Sequence, residues 1–115
     1  MLLNIFLKHD NTNIKVGHEV LKDSSLINNV INISNESSEC DIPISCISHQ
    51  TMNQIIAWSQ NKDNLAKLTH ETLKSLIVAS DYLEMEELYT ESCKVMARSV
   101  EAFHHQKIIN GVQNV

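Results

Sequence analysis

The residues with the clearest chemical potential are Cys46-Ile47-Ser48-His49, which set a thiol and an imidazole at the Cys-x-x-His spacing of half a zinc site. His104 and His105 add two imidazoles, but adjacent helical positions diverge by about 100°. A tetrahedral site needs four convergent ligands with characteristic pairing, and this sequence does not supply it. The expected state is a buried Cys46 and exposed histidines, with no metal. A Cys46-His49 nucleophile pair would also need a group to orient the imidazole and donors for an oxyanion. Gly17 and Gly111 are the only glycines, so no glycine loop is available to build such donors. Glu84, Glu86, Glu87 and Glu91 could pass for paired catalytic carboxylates, yet they read more simply as a solvated face at a helix start, where the dipole favours acids. No catalytic, cofactor-binding or metal-binding residue is assigned, and the chain reads as a non-enzyme.

The segment from Thr69 to Val100 is more informative. Leu73, Leu76, Ile77, Ser80 and Leu83 follow the i, i+3, i+4 rule of one buried helix face, so the next core positions should be 86 and 87. Both are glutamates. The apolar series resumes instead at Met85, Leu88, Tyr89, Cys93, Met96, Ala97 and Val100. One straight helix could not turn both series to a single core without burying an unpaired glutamate. The pattern therefore predicts two helices with a change of axis around Ala79 to Leu88, leaving Asp81 and Tyr82 outside.

The elements that must hold this joint are legible upstream. Leu3, Ile5 and Leu7 alternate with Asn4, Phe6 and Lys8, the two-residue period of a strand with one face on a core. His9 to Asn13 is a polar turn returning the chain antiparallel into Ile14-Lys15-Val16. Ser24 or Ser25 caps a helix with Leu26, Ile27, Val30 and Ile31 inside. Asn35 to Glu39 is a polar loop, and Ile42-Pro43-Ile44 a short strand placed at a sheet edge because proline lacks a ladder donor. Ser48 or Thr51 caps a helix carrying Met52, Ile55, Ile56 and Ser59, Asn61 to Asn64 ends it, and Thr69 caps the next. The order is strand, strand, helix, strand, helix, helix, helix. This is an α+β domain, a small three-stranded sheet in the N-terminal part flanked by a helical cluster.

Composition narrows the function classes. At 115 residues the chain is one domain, 1–115, with strands and first helices over 1–60, paired helices over 69–100 and a short helical tail over 101–115. A net charge of -5 and scattered lysines argue against a nucleic-acid partner. No apolar run approaches the roughly 18 residues of a membrane span, and the first residues lack the basic start of a secretory signal, so no membrane partner is expected. Three cysteines, an odd number at irregular spacing, fit a reducing compartment.

Specific residues then carry a resemblance. Ile55-Ile56-Ala57-Trp58 through Lys62-Asp63-Asn64, the stretch Leu76-Ile77-Val78-Ala79-Ser80-Asp81-Tyr82-Leu83-Glu84-Met85-Glu86-Glu87-Leu88, and Cys93-Lys94-Val95-Met96-Ala97 resemble the BTB/POZ fold, and within it the Skp family, adaptors of cullin-RING ubiquitin ligases. Ile42-Pro43-Ile44 matches the family more loosely. The family's acidic, proline-rich insertion after Asp63 is absent, and the helices that close its F-box platform are truncated here. The resemblance implies an adaptor of the cytoplasm and nucleus that contributes to protein ubiquitination by positioning. Asp81 and Tyr82 align with a pair that faces the cullin amino-terminal domain. Val95, Val100, Phe103, Ile108, Ile109 and Val112 would form the apolar groove for an F-box protein or another receptor helix. The alternative is a BTB/POZ interaction module, or a truncated decoy, that binds cullin or self-associates as a homodimer without recruiting substrate.

Overall fold

The computed structural model describes residues 1–34 and 39–113, with side chains over 1–33 and 39–99. Its element order is the expected one. Strand β1 (Leu2–Leu7) and β2 (Thr12–Gly17) form an antiparallel hairpin, with Leu3 opposite Val16 and Ile5 opposite Ile14. A 3-10 turn (His18–Leu21) leads into α1 (Ser25–Ser34), and β3 (Glu39–Ile44) returns parallel to β1, Ile5 facing Ile42. The sheet order β2-β1-β3 leaves β3 at an edge, bonded on one side only, where Pro43 costs no ladder bond. Then come α2 (His49–Gln60), a second 3-10 turn (Lys62–Lys67), α3 (His70–Leu83) and α4 (Glu86–Gln113).

Alternation dictates which sheet face is covered. Leu3, Ile5, Leu7, Val16, Cys40, Ile42 and Ile44 all point inward and pack with Leu21, Ile27, Met52, Ile55, Trp58, Leu76, Leu83 and Leu88 in one core. The outward row of Asn4, Lys15 and Asp41 is polar, with the Asn4 amide donating to Asp41 at 2.9 Å. The hairpin turn is tighter than the composition suggests. Thr12 and Asn13 belong to β2, and the reversal is made by residues 8–11 with Asn11 in the left-handed region (φ 55), a conformation asparagine tolerates.

That turn is fastened to α2. Ser48 caps the helix, its hydroxyl accepting from the Thr51 N–H at 3.1 Å, and the Asp10 carboxylate accepts from the His49 N–H while Thr12 Oγ1 lies 3.0 Å from His49 Nδ1. A carboxylate on a helix N-terminus is held by both the free N–H and the dipole. The backbone bond from His49 and the contact with His9 accordingly hold the Asp10 carboxyl below its ordinary value. A second fastening lies at the far end of α2. The Lys62 ammonium sits 4.9 Å above the buried Trp58 ring and pairs with Glu87 on α4 at 2.8 and 3.0 Å, which raises the Lys62 pKa.

No helix among the described residues is long and apolar enough to cross a membrane. Within the span read as a short helical tail, residues 101–113 are helical and continue α4, whose 28 residues run about 42 Å, twice the length of α3, while 114–115 lie outside the described residues. His70 at the start of α3 meets Ser99 at 2.5 Å, so past that contact α4 has outrun its partner helix.

Two predictions test this framework. Leu76 is fully buried whereas Ile56 is half-buried, so Leu76→Ala should cost about 2–5 kcal/mol in urea denaturation and Ile56→Ala visibly less. Asp10 titrates lower in the folded chain, so its stabilisation is fully present above the unfolded carboxylate value near 4 and is lost as pH falls through the lower folded value. Asp10→Asn should thus lower the melting temperature at pH 7, with the gap to wild type closing as the pH is taken towards 3.

Candidate functional site at the joint of the last two helices

The joint is built by a sequence that stops one helix and starts another within three residues. Thr69 caps α3, accepting from the Thr72 N–H at 3.2 Å, with Glu71 in the first turn favouring the positive end of the dipole. At the other end the Met85 N–H bonds to the Ser80 carbonyl at 2.9 Å and the Glu84 N–H to the Asp81 carbonyl at 3.2 Å. This paired 6→1 and 5→2 closure requires a left-handed residue between, and Glu84 supplies it at φ 56, ψ 49, where glycine is usual. The Met85 carbonyl then takes the Tyr89 N–H at 3.0 Å, opening α4 with Glu86 and Glu87 in its first turn.

The end of α3 is held by the beginning of α1. Ser24 is fully buried; its hydroxyl accepts from the Ile27 N–H at 3.1 Å and donates to the Leu83 carbonyl at 2.5 Å. The Ser25 N–H donates to the Glu84 carbonyl at 3.2 Å. Free donors at one helix start thus satisfy free acceptors at another helix end. Leu83, Met85 and Leu88 plug the core beneath, and the next positions outward are left to solvent.

Asp81 and Tyr82 are both exposed, Tyr82 at 42%, as the phase break predicts. Glu86 and Glu87 are exposed as well, so the change of axis does avoid burying them. Val78, one turn before Tyr82, was not singled out by the sequence pattern, yet it is 63% exposed. Its signal was available: it lies off the Leu73-Leu76-Ser80-Leu83 face in a helix whose core side is already complete.

The α4 face differs from expectation. Met85 and Leu88 are buried, but Tyr89 is 41% exposed, Ala97 is exposed, and Cys93 and Met96 are only half-buried. Burial passes through Ser92 and Val95 instead, because seven residues from Met85 bring the helix back to the same side. Ser92 was missed since a hydroxyl is discounted as core, and among the described residues its Oγ has no hydrogen-bond partner. Of the positions assigned to receptor binding, Val95 is half-buried against the domain's own core. The side chains of Val100, Phe103, Ile108, Ile109 and Val112 lie outside the described residues, as do those of His104 and His105.

A recess of about 380 Å³ borders the joint, with Asp81, Glu84, Glu86 and Tyr89 in its wall and Asp23 across from them. A second recess, also about 380 Å³, lies further back along α3 and separates Lys74, Ser75 and Val78 from His9, Cys46 and Ser48. Cys46 is exposed, contrary to expectation: Ile44 and Ile47 take the inward positions of that loop and turn Ser45 and Cys46 out. His49, its neighbour at metal-like spacing, is engaged with Thr12, and no three His, Cys, Asp or Glu side chains among the described residues are grouped to hold a metal ion.

No protein-family model matches the sequence, and no curated protein matches it. The joint's own contacts therefore carry the functional reading. Ser24→Ala removes one partner from two buried hydrogen bonds and should cost about 1–3 kcal/mol. Amide exchange should locate the loss, with Ile27, Glu84 and Met85 losing protection before the sheet does.

Proposed function

We propose that the chain is a Skp-like adaptor with a BTB/POZ-like fold, which binds a cullin amino-terminal domain and so contributes to ubiquitin transfer by positioning. The single observation carrying this reading is the bent joint that leaves Asp81 and Tyr82 outside while Leu83 beneath them is fully buried. A rigid tyrosine at a helix end offers a large apolar face and a hydroxyl at small entropic cost, the profile of an interface anchor. The resemblance of Ile55 to Asn64 and of Leu76 to Leu88 to the Skp family supports the same assignment, as does an α+β framework with a three-stranded mixed sheet and paired C-terminal helices.

A second reading, a cullin-binding BTB/POZ module or decoy without a receptor, is favoured by one feature of α4. Along a continuous helix Val100 and Ile109, nine positions apart, fall about half a turn from each other. An F-box groove drawing on both positions would need a bend or further helices. The two readings share the cullin surface and differ at the receptor.

Capture assays with cullin amino-terminal domains and with an F-box peptide separate them: both bind the adaptor, cullin alone binds the decoy. Asp81→Lys combined with Tyr82→Lys should abolish cullin capture and leave the thermal melt within about 0.5 kcal/mol of wild type, since both side chains are exposed. Retained capture by the folded double variant would remove this surface from the proposal.

A further inference from the structure

The outer side of α3 carries exposed apolar side chains beside an open recess whose far wall is His9, Cys46 and Ser48. Val78 and Tyr82, four residues apart, lie on the same side, and Tyr89 stands across the bend. These are three of the six large hydrophobic side chains that the described residues leave exposed. What distinguishes this patch from an ordinary scatter of exposed apolar residues is its rim. From Asp81 to Glu91 the chain places five carboxylates and no lysine or arginine. Asp81, Glu84 and Glu86 form no ion pair among the described residues, whereas Lys62 pairs with Glu87 and Lys94 with Glu91. Three of these acids share one recess with Tyr89.

We propose that this face docks a basic amphipathic helix of a different protein, its apolar residues over Val78 and Tyr82 and an arginine or lysine in the recess against Tyr89, Asp81, Glu84 and Glu86. The charge of the rim selects this occupant. A cation in the recess relieves the mutual repulsion of the carboxylates and gains the face of an aromatic ring. An acidic segment or a phosphate backbone would add to that repulsion. A second copy of the chain turned by a twofold axis would set these acids against the Lys74 and Glu71 end of the same face, one lysine beside one glutamate, and so offers the recess less than a basic helix does. The opposite end of the stripe, where Lys74 and Glu71 sit one and two turns before Val78, is near neutral, so the basic residues of the partner belong at the end lying on the joint.

This inference deepens the adaptor proposal, since it assigns partner chemistry to the same surface, and the test separates the two. Two synthetic helical peptides with identical leucine positions, one flanked by arginines and one by glutamates, are titrated into the full chain while the amides of Val78, Tyr82 and Tyr89 are followed by NMR. In parallel, a cullin amino-terminal domain is tested for capture. The arginine peptide should shift those amides, the glutamate peptide should not, and the affinity should fall about tenfold or more between low and high salt. Glu84→Lys with Glu86→Lys, checked for fold by its melt, should weaken the arginine peptide by a similar factor. Equal binding of both peptides, binding of neither, or a lysine variant that binds like wild type would overturn the inference. So would a dimer in sedimentation that Val78→Asp dissolves. If cullin is captured equally by wild type and the lysine variant, the adaptor reading stands and this one falls. If the arginine peptide docks at the joint and no cullin is captured, the reverse holds.

Discussion

The arrangement rests on one contact: the buried hydroxyl of Ser24, which accepts a hydrogen bond inside the start of α1 and donates one to the end of α3. A helix start carries unsatisfied N–H groups and a helix end carries unsatisfied carbonyls, and burying either without a partner costs free energy. Placing one against the other, with Ser24 and the Ser25 N–H as connectors, settles both needs at once and fixes where α3 stops. The axis change at Glu84 follows from that stop. It lets Leu83, Met85 and Leu88 enter the same core while Asp81, Tyr82 and Glu86 stay in water.

The sheet's part is indirect but necessary. Its covered face supplies the apolar wall on which Leu76, Leu83 and Leu88 close, and the Asp10 and Thr12 contacts to His49 tie the hairpin turn to α2. Lys62 ties the far end of α2 to the first turn of α4 through Trp58 and Glu87. The surface pair is exposed and adds little by itself, but it sits on a ring that is already buried. The joint is therefore held from α1 and from the region after α2, while α3 and α4 pack along each other. Its outward residues are presented on elements that cannot swing independently, which is what a docking surface requires to avoid losing binding energy to ordering.

Much of this was legible in the residues, and the parts that were not have physical causes. The strand alternation, the Thr69 cap, a cap at Ser24 or Ser25 and another at Ser48 or Thr51, the edge position of Ile42-Pro43-Ile44 and a break between Ala79 and Leu88 are all local signals, and local signals survive folding. The α4 core face was misplaced by a fraction of a turn because Tyr89, Cys93 and Met96 look apolar while Ser92 does not, yet geometry rather than polarity set the inward direction. Cys46 was expected inside because cysteine usually is, whereas Ile44 and Ile47 compete for the same space and fill it better. The exposure of Val78 and the gathering of Asp23 with Asp81, Glu84 and Glu86 depend on contacts between distant segments, which no window of sequence contains.

Glu84 sits in a backbone conformation that its own side chain disfavours. Glycine is the unstrained residue for the left-handed position that ends α3, since a side chain there crowds the following carbonyl by roughly 1–2 kcal/mol. Asn11, at the other left-handed non-glycine position, belongs to a residue type that visits this region readily; a glutamate does not. The Glu84 carboxylate forms no ion pair among the described residues, and its backbone bonds would be available to glycine equally well. The side chain lies in the recess wall beside Asp81, Glu86 and Tyr89, two residues before the start of α4, where the helix dipole favours a carboxylate. The dipole contribution of about 0.3–1 kcal/mol at an exposed helix start offsets part of the left-handed cost, and the remainder is a strain that glycine would not carry.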